Sequence, residues 1–158
     1  MNVADEAAYT VLIVDDNPLL LEFMQDVLQE MGDFNVVTAS NGIEGLEQFY
    51  QARPDCAVID VKMPGLTGYQ LVRALRGDPE TAQTPLVLLT ALAQDAEQFA
   101  GLAAGADQYL RKPIDPLDLI QAIQHAIQIS DDQRQQRFQL LAEEQSTKPE
   151  PEDYARPG

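Results

Sequence analysis

Basic residues are scarce in this 158-residue chain: 10 Lys and Arg stand against 26 Asp and Glu, a formal charge of −16 at pH 7. A field of that sign repels phosphate backbones and anionic lipid surfaces, so direct nucleic-acid binding and membrane-surface binding are poor readings. Cysteine is nearly absent. The single thiol, Cys56, has no internal disulfide partner and sits in the apolar run Cys56-Ala57-Val58-Ile59, which suits a buried, inert side chain. No apolar run approaches the ~18 residues of a membrane span. The N-terminus Met1-Asn2-Val3-Ala4-Asp5-Glu6 lacks the basic start and apolar middle of a signal peptide. The chain therefore reads as cytoplasmic, with length for one domain. A domain of this size buries roughly 70% of its unfolded surface and needs no metal or disulfide to fold.

What is present alternates. Short β-branched apolar runs (Val11–Val14, Val36-Val37, Cys56–Ile59, Leu86–Leu89 and Ala106–Leu110) are separated by helical patterns. The first helix is announced by Asn17 as N-cap, Pro18 at the first helical position and Gly32 past the end, with Leu20, Leu21, Met24, Val27, Leu28 and Met31 on one face. Asn41 caps a second helix from Gly42 to Tyr50, with Glu44 as a loose capping-box partner. Further helices are expected up to Gly77, over Gln94–Ala103, and from Asp115-Pro116 through Ile127. Five strands alternating with five helices predict an α/β fold, a doubly wound parallel sheet. The strands are continuous apolar runs, as a sheet covered on both faces requires, and carry no charge in the interior. Residues 1–9 read as an N-terminal extension and 10–129 as the folded domain. Residues 130–158 read as a helical extension followed by a disordered acidic, Pro-containing tail.

In an open parallel sheet, ligands bind outside the carboxyl ends of the strands. The residues following the strands here are Asp15 and Asp16, Asp60, Thr90, and Lys112-Pro113. Three clustered carboxylates repel one another, and oxygen-only ligands suit Mg²⁺ or Mn²⁺. A metal, an ammonium and a hydroxyl are what a phosphoryl group needs around its oxygens, and the central carboxylate can act as nucleophile to give an aspartyl phosphate. Taken singly, Asp15-Asp16-Asn17 is equally a capping sequence, and Asp60 or Thr90 an ordinary turn residue. The set as a whole carries the signal.

At these residues the sequence resembles the receiver domain of two-component response regulators over about residues 10–129. The stretches that carry the resemblance are Val11–Asn17 (VLIVDDN), Asn41-Gly42 with Leu46, Pro54–Gly68 (PDCAVIDVKMPGLTG), Pro85–Ala91 (PLVLLTA) and Ala104–Pro113 (AGADQYLRKP). The resemblance implies a flavodoxin-like strand order 2-1-3-4-5 and a Mg²⁺-dependent switch rather than a turnover enzyme. Asp60 would accept a phosphoryl group from a sensor histidine kinase or phosphotransfer protein. Asp16 and Asp60 would hold the metal directly, Asp15 through water, and the backbone carbonyl of Lys62 would complete the set. Thr90 and Lys112 would bind phosphoryl oxygens, Tyr109 would be the switch aromatic, and Lys112-Pro113 would be a cis peptide. Output would pass to a downstream protein target or through a homodimer.

Three positions depart from the usual pattern: Lys62 and Leu92 flank the path of a hydrolytic water, and Gly45 replaces the commoner alanine at about 1 kcal/mol of helix propensity. His125 reads as a surface residue and not a phosphorelay donor. A flavodoxin would need a Ser/Thr/Gly-rich phosphate loop where Asp15-Asp16-Asn17 stands, and a haloacid-dehalogenase-type phosphatase spaces its aspartates two apart. A single-domain regulator is the leading expectation; a receiver fragment of a longer regulator and a non-phosphorylated interaction module are the alternatives. The last helix carries more apolar residues (Leu119, Ile120, Ile123, Ala126, Ile127 and Ile129) than one narrow face needs, which reads either as a contact surface or as a wide buried face.

Overall fold

The computed structural model describes residues 8–91 and 105–129, with the helical residues Gln136, Gln139, Leu140 and Glu143 beyond them. Five strands, β1 (Thr10–Val14), β2 (Asn35–Ala39), β3 (Cys56–Asp60), β4 (Leu86–Thr90) and β5 (Gln108–Arg111), form one parallel sheet in the order β2-β1-β3-β4-β5. Four helices are present among the described residues: α1 (Pro18–Glu30), α2 (Gly42–Ala52), α3 (Gly68–Gly77) and α4 (Pro116–Gln128). The helix expected over Gln94–Ala103 lies outside the described residues. Among those residues, no helix is long and apolar enough to cross a membrane.

The continuous apolar runs have the cause anticipated for them. Val11, Ile13, Cys56, Val58, Val87 and Leu89 face a core built with α1 and α4. Their neighbours Leu12, Val14, Ala57, Ile59, Leu86 and Leu88 face a second core built with α2 and α3. A strand with both faces buried has no polar alternation to show. Cys56 is fully buried, as its sequence context suggests.

Local signals set the helix starts. The Asn17 side chain accepts from the Leu19 and Leu20 amides, and Pro18 fills the first turn, where a missing N–H costs nothing. Asn41 accepts from the Glu44 amide, but the Glu44 carboxylate takes the Ser40 hydroxyl, so that capping box is only half formed. A complete box sits on α3, where Thr67 and Gln70 each bond the other's backbone.

Three expectations need correction. The first is that the sheet interior carries no charge. Asp107, just before β5, is 6% exposed and pairs with Arg76 of α3 at 2.9 Å. Its carboxylate also accepts from the Leu86 amide at 2.8 Å, while Arg76 donates to the carbonyls of Ala82, Thr84 and Gly105. Because Asp107 serves this knot at the amino end of the sheet, the last strand begins at Gln108 and not at Ala106. The second concerns the apolar surplus of the last helix. Leu119, Ile120, Ala122, Ile123 and Ala126 are all buried, so most of it is a wide core face and not a contact surface; Leu117 alone on α4 is a largely exposed apolar residue. The third is the cost assigned to Gly45. A Cβ there would stand 2.9–3.0 Å from the methyls of the fully buried Val14, so the glycine lets α2 approach β1.

Candidate functional site

All five strands point the same way, so their last residues share one rim. Backbone bonds one step beyond the strand ends hold that rim: Asp15 N–H donates to Ala39 O (3.1 Å), Val61 N–H to Leu89 O (2.9 Å) and Lys112 N–H to Thr90 O (2.8 Å). Asp15, Asp60 and Thr90 are thereby fixed by sheet geometry, and all three are buried. Asp16, exposed, follows Asp15 into the turn before α1.

The β3–α3 turn is held by close contact. A Cβ on Gly68 would fall on the Asp60 carbonyl oxygen and within 2.8 Å of the Val61 Cα, and the Gly68 amide donates to Val61 O at 2.9 Å. Only glycine allows that approach of helix to strand end. Gly65 takes a positive φ of 78° within the same turn.

The side chains converge. One carboxylate oxygen from each of Asp15, Asp16 and Asp60 lies within 4.8 Å of the others. Lys112 Nζ is 2.9 Å from Asp60 Oδ1 and 3.5 Å from Asp15 Oδ2. Asp15 Oδ1 accepts the Asn17 amide, while its Oδ2 is buried and accepts no hydrogen bond. Asp16, Asp60, Lys62, Thr90 and Lys112 line a cleft of about 230 Å³. The Lys112-Pro113 peptide is cis. Tyr109 is half-buried on β5, opposite Leu88. Lys62 is exposed beside Asp60, and Leu92 lies outside the described residues.

Burial pushes the Asp60 carboxyl up, aided by the charges of Asp15 and Asp16 and opposed by the Lys112 hydrogen bond. Asp15 is raised for the same first reason, against the Asn17 amide and Lys112. Burial alone would lower Lys112, but the hydrogen bond to Asp60 and the Asp15 charge outweigh it, and the ammonium is held above its ordinary value. Two buried carboxylates thus face one ammonium, with the exposed carboxylate of Asp16 beside them. Hard oxygen donors at this spacing, one of them buried and held only by the 3.5 Å ion pair to Lys112, suit a divalent cation such as Mg²⁺.

Of the predicted positions, Asp15, Asp16, Asp60, Thr90 and Lys112 meet at this rim, while exposed His125 lies on α4 away from it. Two supporting roles are missing from the sequence reading: the Asn17 amide, beyond its capping side chain, orients Asp15, and Gly68 lets helix and strand end meet. The Thr-Gly pair opening a helix is the signal that marks the second.

The family model of the response regulator receiver domain matches residues 11–124. The chain belongs to that family. Among curated relatives of this receiver domain, protein PilH of Pseudomonas aeruginosa is 36% identical over 113 residues, covering 72% of this chain and 93% of PilH. The chemotaxis protein CheY4 of Vibrio cholerae superposes with a TM-score of 0.72 at 34% identity, covering 76% of this chain and 99% of the other. The receiver domain of sensor histidine kinase PA1611 from Pseudomonas aeruginosa, solved with a magnesium ion coordinated in its active-site cleft, gives 0.70 at 29% identity, covering 77% and 98%. The chain spans about half the length of several transcriptional or DNA-binding regulators that it also matches. Receiver domains are phosphoacceptor signalling modules rather than enzymes in the ordinary sense.

Proposed function

We propose that this receiver domain is a cytoplasmic switch in which Asp60 accepts a phosphoryl group from a phosphohistidine of a sensor kinase or phosphotransfer protein. The observation that carries the reading is the buried Asp60 carboxylate, 2.9 Å from Lys112, grouped with Asp15 and Asp16 at the mouth of an open cleft. Asp60 oxygen attacks phosphorus, the P–N bond breaks, and the imidazole leaves with the electron pair and regains a proton. Lys112 and the Thr90 hydroxyl take phosphoryl oxygens, and Tyr109 responds to the movement of Thr90. Asp16, Asp60 and the Lys62 carbonyl would hold Mg²⁺ directly, with Asp15 behind them. When bound, the ion offsets the carboxylate repulsion and the charge of the phosphoryl oxygens.

Phosphorylation then changes a surface read by a protein partner or a second copy. A net charge of −16 disfavours direct nucleic-acid contact. Near-complete coverage of PilH and CheY4 supports a single receiver unit at 10–129, flanked by residues 1–9 and 130–158. Acetyl phosphate with Mg²⁺ tests the chemistry. Mass spectrometry is expected to show one added phosphoryl group, lost in Asp60→Asn and with EDTA. Undiminished labelling of the variant refutes the assignment.

A further inference from the structure

Lys112 reaches Asp60 from the least buried strand of the sheet. β5 has four residues where the other strands have five, and it bonds to β4 alone. Of the five strands it is the one without a buried residue; even β2, at the other edge, ends on buried Ala39. Leu110 is only partly buried against the core. Side-chain burial therefore does little to fix how far β5 runs toward the rim. A shift of one residue would carry Lys112 about 3.3 Å along the strand, enough to break its 2.9 Å contact with Asp60.

The knot of Arg76 and Asp107 stands at the start of this strand. Asp107 is fastened to Leu86 twice: its amide donates to Leu86 O at 2.9 Å, and its carboxylate accepts the Leu86 amide at 2.8 Å. Arg76 Nη2 closes on the same carboxylate oxygen at 2.9 Å, and Nε on the carbonyl of Gly105. Nη1 takes the carbonyls of Ala82 and Thr84, just before β4. The planar fork of one guanidinium thus holds the entries of both strands, which the point charge of a lysine could not do. The opposite end of α3 is fixed as well, since Gly68 packs against the Asp60 carbonyl oxygen. The helix is a strut: its first residue rests on the backbone of Asp60, and its last turn grips the strand that presents Lys112.

We propose that Arg76 and Asp107 are a positioning pair, which sets the lengthwise place of β5 against β4 and so brings Lys112 onto Asp60. From Asp107 to Lys112 the strand runs about 16 Å, and the only other backbone tie at its far end is Lys112 N–H to Thr90 O. The effect on phosphorylation rests on Lys112 binding phosphoryl oxygens; the placement does not.

The chain has three lysines, Lys62, Lys112 and Lys148, so isotope-labelled lysine in the full-length protein resolves the Lys112 ammonium by NMR. An ammonium held by carboxylates exchanges its protons with water more slowly than a free one, and gives a side-chain N–H signal. That signal is expected in the wild type and absent in Lys112→Ala, which assigns it. It is expected to disappear in Arg76→Met with Asp107→Leu, a pair of changes that leaves no buried charge unpaired. With circular dichroism confirming the fold, labelling by acetyl phosphate and Mg²⁺ is expected to slow at least about tenfold in this variant. In a Lys112→Ala background the same two changes are expected to alter the rate less than about twofold. Asp107→Asn keeps an acceptor for the Leu86 amide and loses the charge; it is expected to weaken the signal and slow labelling in the same direction, and it carries the test should the double variant not fold. A retained Lys112 signal in a folded variant overturns the proposal. So does equal slowing with and without Lys112, which would make the knot a structural support only. Equal labelling of wild type and Lys112→Ala, with the signal still lost in the knot variant, overturns the phosphoryl-binding role of Lys112 and upholds its placement by the knot.

Discussion

The two ends of the sheet both bury charge, and they do so in opposite ways. At the amino end, Arg76 and Asp107 form a closed knot: the guanidinium donates to three carbonyls and to the carboxylate, which also takes the Leu86 amide. At the carboxyl end, two buried carboxylates share one ammonium with exposed Asp16 close by, burial raises Asp15 and Asp60, and Asp15 Oδ2 is held only by a 3.5 Å ion pair to Lys112. A satisfied network ties α3, the following loop and β5 together. An under-satisfied one is strained in isolation and relieved by a ligand. Buried charge alone therefore does not mark a site; the balance of its partners does.

The comparison is broken most directly at the knot. Arg76→Ala leaves Asp107 buried without its cation and is expected to cost about 3–5 kcal/mol, read as a large fall in denaturation midpoint. Replacing both by apolar residues, Arg76→Met with Asp107→Leu, should be much milder; equal damage would mean that shape, not charge, holds this end. Second in size, Gly68→Ala forces a methyl onto the Asp60 carbonyl. It should cost about 1–3 kcal/mol and slow acetyl-phosphate labelling. A variant with normal stability and labelling would show that the turn can give way.

The rim should respond with the opposite sign. Because the Asp60 carboxyl is raised, the native state holds protons that the unfolded chain has already released. Stability then falls as pH rises from the ordinary carboxylate range through the raised native value, and the penalty is complete above it. Asp60→Asn removes it. In EDTA at pH 7 the variant is expected to melt higher, by about 1 kcal/mol or a few degrees, with the gain fading as pH drops through that window. A gain constant with pH would deny an electrostatic cause. The smallest effect belongs to Gly45→Ala. The methyl contact with Val14 should cancel the improved helix propensity, leaving a change within about 0.5 kcal/mol where propensity alone gives a gain of about 1. A clear rise in melting temperature would show that Val14 yields.

Sequence made the sheet and the rim legible for one reason. Strands buried on both faces write uninterrupted apolar runs, and whatever polar residue follows each run must sit at the same edge. Asn17-Pro18 and Asn41-Gly42 located helix starts through backbone donors that need an acceptor. Other features left no local mark. Arg76 lies in the last turn of α3, where a cation reads as solvated, and its partner is 31 residues away. Gly45 looked like a weak helix position because the neighbour that requires it, Val14, belongs to another element. The last helix displayed its apolar width plainly, but whether that width met core or solvent was decided by β3, β4 and β5, which its own residues do not encode.

Gly68 has a further consequence, in time rather than in energy. With helix backbone against strand-end backbone and Val61 bonded to both Leu89 and Gly68, the segment carrying Asp60 can shift only with the sheet itself, a collective movement of microseconds or slower. Thr90 is buried and Lys112 is ion-paired to Asp60 at 2.9 Å, so neither turns as freely as an exposed side chain does. A group arriving at Asp60 would therefore meet an acceptor whose position is already set, on that timescale, by the sheet that carries it.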